Sequence, residues 1–120
     1  MTVPTNAQRV LIVEDSWLLS VQVETWLDED GVACAGVAAN VRDALDLADS
    51  AQPGFALVDF NLGGQPADAL IADLTGRGIK VIVVTGYSDI GDVPGVCCVL
   101  HKPCTKHQIL SALYAAGLTP

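Results

Sequence analysis

Asp59 closes the apolar run Phe55-Ala56-Leu57-Val58 and stands just ahead of the turn-prone Asn61-Leu62-Gly63-Gly64. A carboxylate at the mouth of a buried strand is costly unless it has a partner or a reaction to perform. Three other runs repeat the design. Val10-Leu11-Ile12-Val13 ends in Glu14-Asp15, Val81-Ile82-Val83-Val84 ends in Thr85, and Val96-Cys97-Cys98-Val99-Leu100 leads to Lys102-Pro103. If these strands are parallel neighbours, three carboxylates, one hydroxyl and one ammonium converge at one edge of one sheet. Open α/β sheets bind their ligands at that edge.

Such a set has a definite chemistry. Glu14, Asp15 and Asp59 suit a hard divalent cation such as Mg²⁺, which prefers oxygen ligands, keeps several waters and takes one or two protein carboxylates directly. Alone, three carboxylates repel one another. A cation together with Lys102 relieves that repulsion and neutralises a phosphoryl group arriving on Asp59, while the Thr85 hydroxyl donates to one of its oxygens. Asp59 is then the nucleophile. Each residue also has an ordinary reading: a solvated strand end for Glu14-Asp15, an Asx turn for Asp59, a strand-end hydroxyl for Thr85, a surface lysine for Lys102. Their coincidence is what favours chemistry.

The elements that must position these residues alternate between strand and helix, the pattern of a parallel sheet covered on both faces. Ser16 is a cap for a helix carrying Leu19, Val23, Trp26 and Leu27 up to Gly31, and Val32 to Val37 reads as a second strand. Asn40 caps a helix with Val41, Ala44, Leu45 and Ala48 on one stripe. After the strand of Asp59, Pro66 suits the first turn of a third helix carrying Leu70, Ile71 and Leu74. Lys80 to Val84 is the fourth strand. Gly86, Gly91, Pro94 and Gly95 leave room for only a shortened helix before the fifth, and a last helix runs from about Thr105 to Gly117.

A chain of 120 residues is the size of one domain, so residues 1–120 are expected to share one core. No apolar stretch approaches the ~20 residues that cross a bilayer, and Met1 to Gln8 lacks a signal-peptide core, so a cytoplasmic protein with no membrane contact is expected. A net charge of -8 argues against direct nucleic-acid binding. Cys34, Cys97, Cys98 and Cys104 read as small hydrophobes in a reducing compartment, with Cys104 expected to be the exposed thiol. Zinc is disfavoured at Cys97, Cys98, His101 and Cys104, because adjacent strand residues point to opposite faces. Trp17 is expected near the site mouth and Trp26 in the core.

The ordered set Glu14-Asp15, Asp59, Thr85 and Lys102-Pro103 resembles the receiver domains of bacterial two-component response regulators (CheY-like), over essentially the whole chain. The resemblance implies a doubly wound, five-stranded parallel sheet of flavodoxin-like order. It also implies that Asp59 accepts phosphate from a sensor histidine kinase or a histidine phosphotransfer protein. Mg²⁺ is then held by Asp15, Asp59 and the Asn61 backbone carbonyl, with Glu14 acting through water, and the Lys102-Pro103 bond is cis.

The departures are Val99 in place of the usual switch aromatic, Gly63 in place of a proline, and Cys104 in place of a phenylalanine. Val83-Val84-Thr85-Gly86-Tyr87 resembles the signature of the FAT GUY single-domain receivers, and Tyr87, with Thr85, is expected to supply the switch. The expected function is a stand-alone phosphorylation switch or relay acting through a downstream protein partner, with homodimerisation left open. It is not an enzyme beyond its own phosphorylation and dephosphorylation. The alternatives are a degenerate receiver that binds partners without phosphate, and a small Mg²⁺-dependent aspartyl-phosphate phosphatase. The latter would need an Asp where Asn61 stands.

Overall fold

The apolar runs pair as the sequence predicts. β1 (Val10–Val13), β3 (Phe55–Asp59) and β6 (Lys80–Thr85) form the centre of a parallel sheet edged by β2 (Cys34–Ala38) and β7 (Cys98–His101), in the order β2-β1-β3-β6-β7. The structure is a computed structural model and describes residues 6–86 and 93–120. Helices α1 (Trp17–Glu29), α2 (Val41–Ala51), α3 (Asp68–Gly76) and α4 (Lys106–Ala115) complete an α/β fold of flavodoxin-like order. Among the described residues, no helix is long and apolar enough to cross a membrane.

The central strands are buried on both faces, and their pleat divides the core in two. Leu11, Val13, Ala56, Val58, Val81 and Val83 pack against Ala44 and Ala48 of α2 and Leu70, Ile71 and Leu74 of α3. The alternate residues Val10, Ile12, Phe55, Leu57 and Ile82 pack against Leu27 of α1 and Ile109, Leu110 and Leu113 of α4. Burying each of the larger of these side chains stabilises the fold by about 1.5–3 kcal/mol before ordering costs.

Three of the four described helix starts fall where capping residues put them, α3 having no side-chain cap. Ser16 accepts from the Leu19 N–H at 3.3 Å, and Asn40 accepts from the Asp43 N–H at 2.8 Å. Thr105 forms a capping box with Gln108. The Lys102-Pro103 peptide is cis.

Three expectations need correction. Pro66 does not open α3. It pairs with Asn61 in a small antiparallel hairpin, β4 (Asn61–Leu62) with β5 (Gln65–Pro66), and α3 begins at Asp68. Gly63 and Gly64, with φ of 61° and 88°, form the two-residue turn, a geometry that glycine adopts without strain. The second strand begins at Cys34 and not at Val32, because the Val32 N–H is used in closing α1, donating to Leu27 O at 2.9 Å.

The exposed thiol is Cys97, ahead of β7, whereas Cys104 is half-buried against the second core cluster, its Sγ donating to His101 O at 3.2 Å. The expected shortened helix before the last strand includes residues 87–92, outside the described residues, and Val93–Cys97 holds a turn and no helix. Trp26 packs against the second cluster without being fully buried.

β3 starts against the short 3₁₀ turn Asn6–Gln8. A Cβ on Gly54 would lie 1.9 Å from Ala7 O. Gly54→Ala therefore forces backbone apart, and a loss of about 1–3 kcal/mol is expected in urea unfolding. Burial raises the thiol pKa of Cys34, Cys98 and Cys104. Limited iodoacetamide treatment followed by peptide mass spectrometry is therefore expected to show Cys97 alkylated first.

Candidate functional site

The pleat that sorts the core also aims the site. Ile12 and Leu57 are register partners on the face toward α1 and α4. Two residues on, Glu14 and Asp59 continue that face past the strand ends. Cys98 and Leu100 pack on the same side, and Lys102 continues their alternation. Lys102 Nζ donates to Glu14 Oε1 at 2.8 Å and to Asp59 Oδ2 at 3.3 Å, tying the ends of β1, β3 and β7. Glu14 and Asp59 are buried, at 9% and 7% exposure. Asp15 is exposed, yet one carboxylate oxygen from each of Glu14, Asp15 and Asp59 lies within 4.8 Å of the others.

Backbone donors complete the frame. The Ser16 N–H donates to Glu14 Oε2 at 3.1 Å, and the Asn61 N–H donates to Asp59 Oδ1 at 3.2 Å. The Gly63 N–H donates to Asp15 Oδ2 at 3.0 Å, bringing the glycine hairpin against the first strand's acidic end. Asn61 Oδ1 in turn accepts from the Gly64 N–H at 2.7 Å.

Burial raises the carboxyl pKa of Glu14, and nearby Asp59 adds to the rise, while Lys102 and the Ser16 N–H oppose it. For Lys102, burial acts downward, but the ion pairs with Glu14 and Asp59 outweigh it and hold the ammonium above its ordinary value. At Asp15 burial acts upward, but hydrogen bonding with Glu14 and from the Gly63 N–H outweighs it and keeps the carboxyl below the usual carboxylate range. The lysine is therefore a firm cation facing an excess of negative charge.

The structure thus brings together Glu14, Asp15, Asp59 and Lys102. Thr85 ends β6 one residue after Val84, the register partner of Asp59. It is fully buried, and its carbonyl accepts from the Lys102 N–H at 2.7 Å. Tyr87 lies outside the described residues. Val99 packs partly buried on the α2 and α3 side. Cys97 is exposed while Cys98 packs on the second cluster. Sequence reasoning missed the Gly63 N–H as a partner of Asp15. The two-glycine turn between short polar segments was the available signal.

The oxygen-only donor set, with three carboxylates against one ammonium, fits a hard cation and not a soft one. An acidic cluster with a lysine, set at the carboxyl edge of a doubly wound sheet, is the frame of a signalling receiver. The response regulator receiver domain family matches residues 10–114, and the chain belongs to it. Receiver domains serve two-component signalling and are not enzymes in the ordinary sense.

The chain is similar to the PhyR response regulator receiver domain of Erythrobacter litoralis, with 29% identity over 91% of this chain and 88% of that one, and a TM-score of 0.81. It is also similar to a Burkholderia pseudomallei response regulator described with a phosphorylated aspartic acid, a calcium ion and citrate. There the identity is 29% over 88% of this chain and 66% of that one, with a TM-score of 0.80. A CheY-like receiver of Methanospirillum hungatei shares the fold at 23% identity over 90% and 91% of the two chains, with a TM-score of 0.82. No curated protein sequence matches the chain.

The electrostatics lead to opposite effects for two neutralising substitutions. In EDTA, Asp59→Asn removes one of three mutually repelling carboxylates and is expected to raise unfolding stability by about 0.5–2 kcal/mol. Lys102→Met strands two buried carboxylates and is expected to lower it by about 1–3 kcal/mol. Urea denaturation of both variants beside the wild type checks the pair.

Proposed function

We propose that residues 1–120 act as one cytoplasmic receiver. In this reading Asp59 accepts a phosphoryl group from a sensor histidine kinase or a histidine phosphotransfer protein and passes the signal to a downstream protein. The observation that carries the reading is the placement of Lys102 Nζ 3.3 Å from Asp59 Oδ2 within the acidic cluster. A carboxylate oxygen of Asp59 attacks phosphorus, the new P–O bond forms as the P–N bond to the donor imidazole breaks, and the electron pair leaves on the imidazole nitrogen.

Lys102 is positioned by Glu14 to take up negative charge on the transferred oxygens, and Thr85 offers its hydroxyl to one of them. Asp15, Asp59 and the Asn61 carbonyl would hold Mg²⁺, with Glu14 acting through water. The cation supplies further neutralisation of the phosphoryl oxygens. The phosphorylated, calcium-bearing Burkholderia protein supports both the acceptor and a divalent site in this family.

The switch reading assigns Thr85 and Tyr87 the coupling role, since Val99 has no ring to reorient. The FAT GUY subgroup rests on the residues around Thr85-Gly86-Tyr87 alone.

Trp17, 76% exposed two residues past Asp15, is a reporter for the test. Fluorescence titrated with Mg²⁺ and then with beryllofluoride is expected to respond to both ligands in wild type. In Asp59→Asn the beryllofluoride response should disappear. A flat wild-type response, with no adduct formed from acetyl phosphate by intact mass, would overturn the reading in favour of phosphate-independent partner binding.

A further inference from the structure

Beside the carboxylates, between α1 and the start of α4, lies a half-open pocket of about 370 Å³. Leu19, Val23 and Trp26 line it from α1 at helical spacing, with Gln22 the one polar side chain on that helix; Leu57 lines it from β3, and Cys104 and Ile109 from around the start of α4. Glu14, Asp59 and Lys102 stand at one end. An apolar cavity of roughly 150 Å³ accommodates benzene, and small-molecule pockets begin at about 300 Å³.

We propose that this cavity binds a neutral aromatic molecule of one or two rings that carries a single hydrogen-bond donor. The volume admits two fused rings, and the aliphatic walls with the Trp26 indole favour a flat apolar body. A charged body would lose its hydration against those walls with nothing to replace it. The polar end selects the ligand's one polar group. Lys102 Nζ is already engaged by Glu14 Oε1 and Asp59 Oδ2, at 2.8 and 3.3 Å, whereas carboxylate oxygens retain spare acceptor capacity. An N–H or O–H is therefore matched there. An anion would face Glu14, Asp15 and Asp59 against a single ammonium. The polar end shares Glu14, Asp59 and Lys102 with the phosphoacceptor site, whereas the apolar walls from α1 and α4 take no part in phosphoryl transfer.

Indole is the probe, titrated into the full chain in EDTA with isotope-labelled Leu, Val and Ile methyl groups followed by NMR. Saturable shifts confined to the methyls that line the pocket, those of Leu19, Val23, Leu57 and Ile109 with Ile12, Val13 and Val84, are expected. Benzothiophene, of the same shape without the donor, should bind several-fold more weakly, and 2-naphthoate at least about tenfold more weakly. Cys104→Phe should fill the cavity and abolish the indole shifts. If that variant does not fold, Val23→Phe carries the same test from the opposite wall. The proposal is overturned if the shifts do not saturate or spread over surface methyls. It is also overturned if naphthoate binds as well as indole, or if a folded cavity-filling variant still takes up indole like wild type.

Discussion

The bridge from Lys102 to Glu14 and Asp59 is the interaction on which the arrangement rests. It joins strands that are not neighbours in the sheet, since β7 is separated from β3 by β6 and from β1 by two strands. An isolated carboxylate at either buried position would be expensive, and two of them with nothing between would be worse. The ammonium makes both tolerable, and the backbone N–H groups of Ser16 and Asn61 satisfy further carboxylate oxygens. It does not neutralise the site: a net negative charge remains at the sheet edge, and that residue of charge is what a cation can use.

The same alternation that builds the core delivers these groups to one place. Each strand needs only to stay in register for Ile12 and Leu57 to put Glu14 and Asp59 side by side. This is why so much was legible in the sequence. Apolar runs of strand length, each closed by a polar residue, report both the sheet and its reactive edge, and Ser16, Asn40 and Thr105 announce helix starts through chemistry local to a few residues. Asp59 and Lys102 could be brought together before any coordinates existed because a parallel sheet puts all its strand ends on one side.

What escaped depended on competition between local rules. Pro66 satisfies the preference for a first helical turn, but the Gly63-Gly64 turn claims it for a hairpin that also secures Asp15. Val32 is as strand-prone as Cys34, yet its N–H is used in finishing α1. Cys97 and Cys104 could not be ranked by neighbours alone. Cys104 turns inward because the chain bends after Lys102 and begins α4 over the second core cluster, a tertiary consequence with no signature in the residues around it.

Gly54 sits at the opposite end of β3 from Asp59, and both its N–H and that of Phe55 donate to Arg9 O at 3.2 Å. With Ala7 O pressed so close to Gly54 that no side chain fits, the chain is seated at the residue just before the strand, which opposes sliding along β1. A slip of one residue would turn every side chain of β3 to the other face, carrying the Asp59 carboxylate away from Lys102 and into the layer of α2 and α3. The reach of the acceptor is thus set like the depth of a key, by a shoulder at the far end of the blade.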